Sequence, residues 1–167
     1  MLRKFFVIPA LAVMLLPAVS FAQFETGDWE VTLSGSGGSD RDFNNNAFAA
    51  QGSLGYFMTP ELEVGARQSI SFVDPDGGSS NLAGATRIFL DYHFDLDRWQ
   101  PFVGLSAGYV YGDGVRDDFV GGPEAGVKFF ANNTTFIFAS VGYDFALRRS
   151  MRDTGGWVYG LGIGFRI

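Results

Sequence analysis

Few side chains in this 167-residue chain could do chemistry. There is one histidine, His93, and no cysteine, so disulfides and cysteine-based zinc sites are excluded. A hydrolase of the Ser–His–acid type would have to be built around His93. The other candidates are single charges set within apolar segments: the acids Glu30, Glu63, Asp91, Glu124 and Asp144, and the bases Arg67, Arg87, Lys128 and Arg166. The two signs nearly balance, whereas a selective pore biases its lining toward one. Ions withdrawn from water need partners, so the set reads as a self-paired network, with His93 joining Glu63 or Asp91. Arg148, Arg149 and Arg152 form a second group, and the donor fork of arginine suits the phosphates of lipopolysaccharide.

Three motifs carry nothing further. The segment 74–78 (DPDGG) lacks the remaining oxygen ligands and terminal Glu of a calcium loop. The sequons in 132–135 (NNTT) read as turn residues. The glycines of 160–164 (GLGIG) are no phosphate loop, because no helix follows them. The expectation is no catalytic site, no cofactor and no metal.

The elements that must hold these charges are strands. From Trp157 every second residue is large and apolar (Trp157, Tyr159, Leu161, Ile163, Phe165, Ile167), with Val158, Gly160, Gly162, Gly164 and Arg166 between. A period of two means a strand with one greasy face and one small or polar face. Its eleven residues are also what a tilted strand needs to cross a bilayer. The same rhythm runs through 29–34, 48–58, 62–72, 87–94, 103–111, 124–129 and 137–145, giving eight strands. Parity turns every acid and base of the first group to the small-residue face, together with Phe89, Phe136 and Phe138.

The connections alternate as well. Long Gly/Asp/Ser/Asn stretches span 35–47, 74–84, 112–122 and 146–156, and short turns span 59–61, 95–101 and 131–134. An even number of strands joined by long loops on one side and short turns on the other predicts an all-β, eight-stranded antiparallel up-and-down transmembrane β-barrel, both termini periplasmic. A soluble sandwich would turn solvating polar side chains outward. Here the non-greasy face is Gly, Ala, Ser and scattered charge, which suits a cramped lumen. Aromatics fall at the strand ends, as interfacial girdles do: Tyr109, Tyr111, Tyr143, Trp157 and Tyr159 at one rim, and Tyr56, Tyr92, Phe94, Trp99, Phe129 and Phe165 at the other.

Residues 1–22 read as a cleavable signal peptide: Arg3 and Lys4, a short apolar stretch, then the small residues of Ser20-Phe21-Ala22. Cleavage there leaves a barrel domain over 23–167, and no later apolar run is long enough for a membrane helix. The acidic balance, net −6, excludes a nucleic-acid partner.

Three stretches carry a family likeness: PFVGLSAGY at 101–109, GPEAGVKFF at 122–130 and GLGIGFRI at 160–167. With them the chain resembles the small OmpA-type bacterial outer-membrane barrels, in the stand-alone form without a peptidoglycan-binding domain. The last stretch looks like the C-terminal signal read by the barrel-insertion machinery, carried by Gly162, Phe165 and Ile167. It ends on Ile where Phe or Trp is usual. The resemblance implies a Gram-negative outer-membrane location with membrane lipids and lipopolysaccharide as neighbours. A closed barrel has no free edge to force association, so a monomer is expected. The function expected is a structural or surface-interaction role with a largely plugged, charge-paired lumen. The alternative is a narrow porin-like channel for water or small ions. A remote alternative is a lipid A-modifying enzyme, which the position of His93, far from the outer leaflet, disfavours.

Overall fold

The computed structural model describes residues 24–39, 46–74, 80–113, 117–146 and 155–167. Residues 1–22, expected to form a signal peptide, and Arg148, Arg149 and Arg152 lie outside the described residues. Eight antiparallel strands close on themselves in chain order: β1 Trp29–Ser39, β2 Asn46–Phe57, β3 Leu62–Asp74, β4 Asn81–His93, β5 Trp99–Gly112, β6 Asp118–Phe130, β7 Thr135–Ala146 and β8 Gly155–Arg166. No helix occurs among the described residues.

Alternation fixes which face looks out. Leu33, Ile70, Ile88, Leu105, Ile137 and Leu161 stand on the outside, and Ile88 (67%), Leu105 (62%) and Leu161 (70%) are exposed to a degree no water-soluble core would allow. Aromatic pairs mark both rims. Trp29 lies against Tyr56 and Trp99 against Phe129 at the end carrying the short turns, and Tyr109 against Phe119 and Tyr143 against Trp157 at the end carrying the long loops.

The strands are staggered. Following partners around the barrel from Val31 through Leu54, Ala66, Ile88, Ala107, Gly121 and Phe145 arrives at Gly155, while Val31 itself pairs with Phe165, ten residues along β8. A shear of that size on eight strands corresponds to a tilt of about 40° at ordinary strand spacing and rise. The closing seam is short. β1 meets β8 over five pairs, from Glu30↔Arg166 to Ser34↔Gly162.

Two features differ from the sequence reading. Strands run further into the long connections than the alternation does, to Ser39, Asp74, Gly112 and Ala146 and back from Asn46, Asn81, Asp118 and Gly155. Backbone ladders need no contrast between faces, so pairing continues where the side-chain rhythm fades. The turn expected over 95–101 is also shorter. β5 already begins at Trp99, a Leu96↔Trp99 bridge closes the reversal, and Asp97 supplies its left-handed residue (φ 61°).

Inside β6, Pro123 interrupts the ladder to β7, which stops at Gly121↔Phe145 and resumes in register at Glu124↔Gly142. At this break Gly122 admits the neighbouring backbone: a Cβ there would lie 1.8 Å from the Tyr143 carbonyl oxygen. By contrast nothing lies within 4 Å of a Cβ added at Gly156. Gly122→Ala is therefore expected to lower stability by about 1–3 kcal/mol, with Gly156→Ala within about 0.5 kcal/mol of the parent. Urea unfolding of the barrel in lipid, followed by tryptophan fluorescence, measures both.

Candidate functional site in the barrel interior

Every inward position is read by parity, and the charges fall into two tiers. The tier nearer the loops holds Arg67 and Arg87, directly opposite one another on β3 and β4. Like charges so placed repel. Each is answered from across the lumen. Arg67 donates through both terminal nitrogens to Glu124 of β6 (3.0 and 3.1 Å), and Arg87 donates likewise to Asp144 of β7 (2.7 and 2.6 Å). These bidentate pairs are the stronger and more directional kind. The Arg67 guanidinium also lies 4.7 Å over the Phe89 ring.

The tier nearer the turns centres on Lys128 of β6. Its ammonium donates to Glu30 of β1 and to Glu63 Oε2 of β3 (3.0 Å). His93 Nε2 donates to the same Glu63 oxygen at 3.0 Å. The rings of Phe24, Phe57, Phe102 and Phe136 surround the ammonium at 5.3–5.6 Å, adding cation–π attraction where water is excluded. Glycines on neighbouring strands make room for the acids. A Cβ at Gly55 would fall 1.7 Å from Glu63 Oε1, and one at Gly104 1.8 Å from Asp91 Oδ1. Asp91 is 2% exposed, and neither its Oδ1, nor Glu63 Oε1, nor His93 Nδ1 has a hydrogen-bond partner.

Beneath this tier the lumen ends in packed rings. Phe24 is fully buried and stacks on Phe57 with centroids 3.9 Å apart. Phe130 and Phe136 meet it edge-on. A tight turn carries Phe24 into the barrel mouth. Gly27 takes the left-handed conformation (φ 100°) and donates to the Phe57 carbonyl, while the Asp28 carboxylate accepts from the Glu25 amide (2.7 Å). Arg166 sits at this rim rather than in either tier. Its guanidinium reaches Asp28 (2.8 Å) and, more loosely, Glu25 (3.8 Å).

Two spaces remain inside. A vestibule of about 440 Å³ opens toward the loops, lined by Ser34, Ser69, Ser106, Ser140 and the two arginine–carboxylate pairs. Below it lies a space of about 20 Å³ bounded by Glu30, Glu63, Asp91 and Lys128, room for about one water molecule.

The structure thus brings Glu30, Glu63, Arg67, Arg87, Asp91, His93, Glu124, Lys128 and Asp144 inside the barrel, and Arg166 to its rim. Gly162, Phe165 and Ile167 lie at the end of β8, where Ile167 exchanges backbone bonds with Trp29. Parity alone could have added Phe57, Phe102 and Phe130, which continue the inward series of Gly55, Gly104 and Lys128. No pattern announced Phe24, because it precedes the first strand and fills the mouth through a turn.

No family model matches the sequence, and none of the curated proteins does. Solved structures do match its shape. OprG of Pseudomonas aeruginosa covers 87% of this chain and 98% of its own at a TM-score of 0.61 and 14% identity. The fold is that of a small OmpA-type outer-membrane barrel. Ail of Yersinia pestis in a phospholipid nanodisc superposes over 84% of this chain and 99% of its own (TM-score 0.56, 14% identity). The N-terminal barrel of P. aeruginosa OprF does so over 86% and 98% (TM-score 0.52, 21% identity). At these identities the likeness concerns architecture.

Replacing Lys128 by Met leaves Glu30 and Glu63 buried without their cation. We expect a loss of about 3–5 kcal/mol, whereas Arg166→Gln, at a solvated rim, costs at most about 1 kcal/mol. Equilibrium unfolding of the two variants side by side checks the difference.

Proposed function

We propose that this protein is a structural outer-membrane barrel with surface-contact loops, and that its lumen is plugged against solutes. The observation that carries this reading is Phe24, wholly buried and stacked on Phe57 below the Lys128 tier. Rings packed edge to face leave an ion no continuous polar path to replace its hydration shell, so passage through them is costly. The neutral pairing of Arg67 with Glu124 and Arg87 with Asp144 supports the same reading, because it leaves no single-signed ring to select an ion.

In this reading the termini and short turns face the periplasm and the vestibule faces outward. The chain then acts as a non-enzymatic monomer delivered by the barrel-insertion machinery through Gly162, Phe165 and Ile167. An enzymatic role has little support. The His93 Nε2 is committed to Glu63, and its ring packs against Phe57 and Phe102, leaving it no approach to a lipid substrate. Arg148, Arg149 and Arg152 are the groups assigned to lipopolysaccharide phosphates on the outer side.

Refolded into a planar bilayer, the parent is expected to insert without conductance steps, and Phe24→Ala/Phe57→Ala to show them. Reproducible steps from the parent would replace this reading with the narrow channel, in which case Arg67→Ala and Glu124→Ala should alter conductance. Changing Arg148, Arg149 and Arg152 together to Ala is expected to weaken lipopolysaccharide binding severalfold, as measured by co-sedimentation with lipopolysaccharide vesicles at fixed salt. Unchanged binding removes that contact from the assignment.

A further inference from the structure

The interior charges do not all close among themselves. Arg67 with Glu124 and Arg87 with Asp144 are self-contained pairs, and Lys128 balances one carboxylate of the lower tier. Glu30, Glu63 and Asp91 together bring three carboxylates to that tier against one ammonium, so with all three ionised two negative charges would lack a fixed cation. They lie in a compartment closed on the turn side by phenylalanine rings, walled by the barrel, and adjoining the vestibule on the loop side. An unbalanced charge in such a place is strongly unfavourable.

The side chains that hold the surplus converge. One ligand atom each from Glu63, Asp91 and His93 lies within 4.8 Å of the other two, and all three residues are buried. Asp91 is 2% exposed, its Oδ1 is buried without a hydrogen-bond partner, and it borders the small space beside Glu63 and Lys128. The 3.0 Å between His93 Nε2 and Glu63 Oε2 is close to the spacing of adjacent ligands around a small cation, given metal–ligand bonds of about 2.0–2.2 Å. Gly55 and Gly104 leave the volume that Glu63 Oε1 and Asp91 Oδ1 occupy, since a Cβ at Gly55 would lie 1.7 Å from the first oxygen and one at Gly104 1.8 Å from the second.

We propose that Glu63, Asp91 and His93 form a binding site for one divalent cation of the borderline class, Zn²⁺ or a close neighbour. One imidazole with two carboxylates is a donor set suited to such ions, and the ring proton would move to the unpartnered His93 Nδ1 so that Nε2 can ligate. A dication there offsets the two surplus charges while Lys128 stays with Glu30. The ion would enter from the loop end, since the vestibule and the small space share Gln51, Arg67 and Ser140 in their linings. The site goes beyond the structural reading and does not depend on whether the lumen conducts.

The test uses untagged protein purified from membranes in detergent and stripped with a chelator. Co²⁺ is titrated by visible absorption and Zn²⁺ by calorimetry. The expected result is one Co²⁺ per chain, displaced by Zn²⁺, with binding weakened by at least about tenfold in both Asp91→Asn and His93→Gln. Both variants are first shown to keep the heat-dependent gel shift of a folded barrel. No saturable uptake by the folded parent overturns the proposal, and so does uptake that both variants retain undiminished. Infrared spectra supply an independent arm. A protonated-carboxyl band that is lost in Asp91→Asn yet persists in the parent at saturating Co²⁺ would mean that a proton rather than a metal balances Asp91, and would also overturn it.

Discussion

Inside hydrocarbon a backbone N–H or C=O has no water to turn to, and each one left unpaired costs several kcal/mol. A sheet meets that demand only by closing. Here closure takes eight strands and a stagger of ten residues, and the last ladder, between β1 and β8, is made by five pairs. Everything else follows from this. Once the sheet is closed and tilted, each residue's parity decides whether it meets lipid or lumen. Ile88 and Leu105 can be among the most exposed side chains because the medium they face is as apolar as they are.

The same closure confines the charges. An eight-stranded barrel leaves an interior about as wide as the side chains that fill it, so opposing residues touch across it. Arg67 reaches Glu124 and Arg87 reaches Asp144 over 57 residues of sequence each, and Lys128 reaches Glu30 over 98. These contacts tie strands that are not neighbours in the sheet. They brace the barrel across its diameter in a way the ladder, acting only between adjacent strands, does not. Glycines opposite the acids belong to the same design, because Glu63 and Asp91 occupy the volume that side chains at Gly55 and Gly104 would fill.

The two ends of the lumen differ because their side chains differ. Toward the loops, serines and paired charges leave a polar vestibule. Toward the turns, phenylalanines converge from β2, β5, β6 and β7, and Phe24 completes the packing from outside the sheet. Rings at van der Waals distance exclude water, and that raises the strength of every electrostatic contact above them. The Lys128 tier is therefore held by charge and sealed by aromatic packing at once, with three carboxylates gathered around one ammonium.

Strand number, facing and the two aromatic rims were legible in the residues, because a period of two is a local property and a bilayer rewards it at every step. The inward set from Glu30 to Asp144 followed from the same parity. Pairing did not, since parity says that Arg67 and Glu124 share the lumen but not that they share a level. That depends on the stagger, which is a property of the closed sheet. Strand ends were overrun for a related reason: ladders persist through Gly35–Ser39, where alternation carries no information. Phe24 and the Asp28–Arg166 pair lay outside every pattern, being placed by a turn at Gly27 and by the seam that brings β1 against β8. The sequence by itself determined which side chains meet lipid and which meet the lumen. Only the tertiary structure decided which of the enclosed charges meet one another, because the level of each is set by register accumulated around the whole barrel.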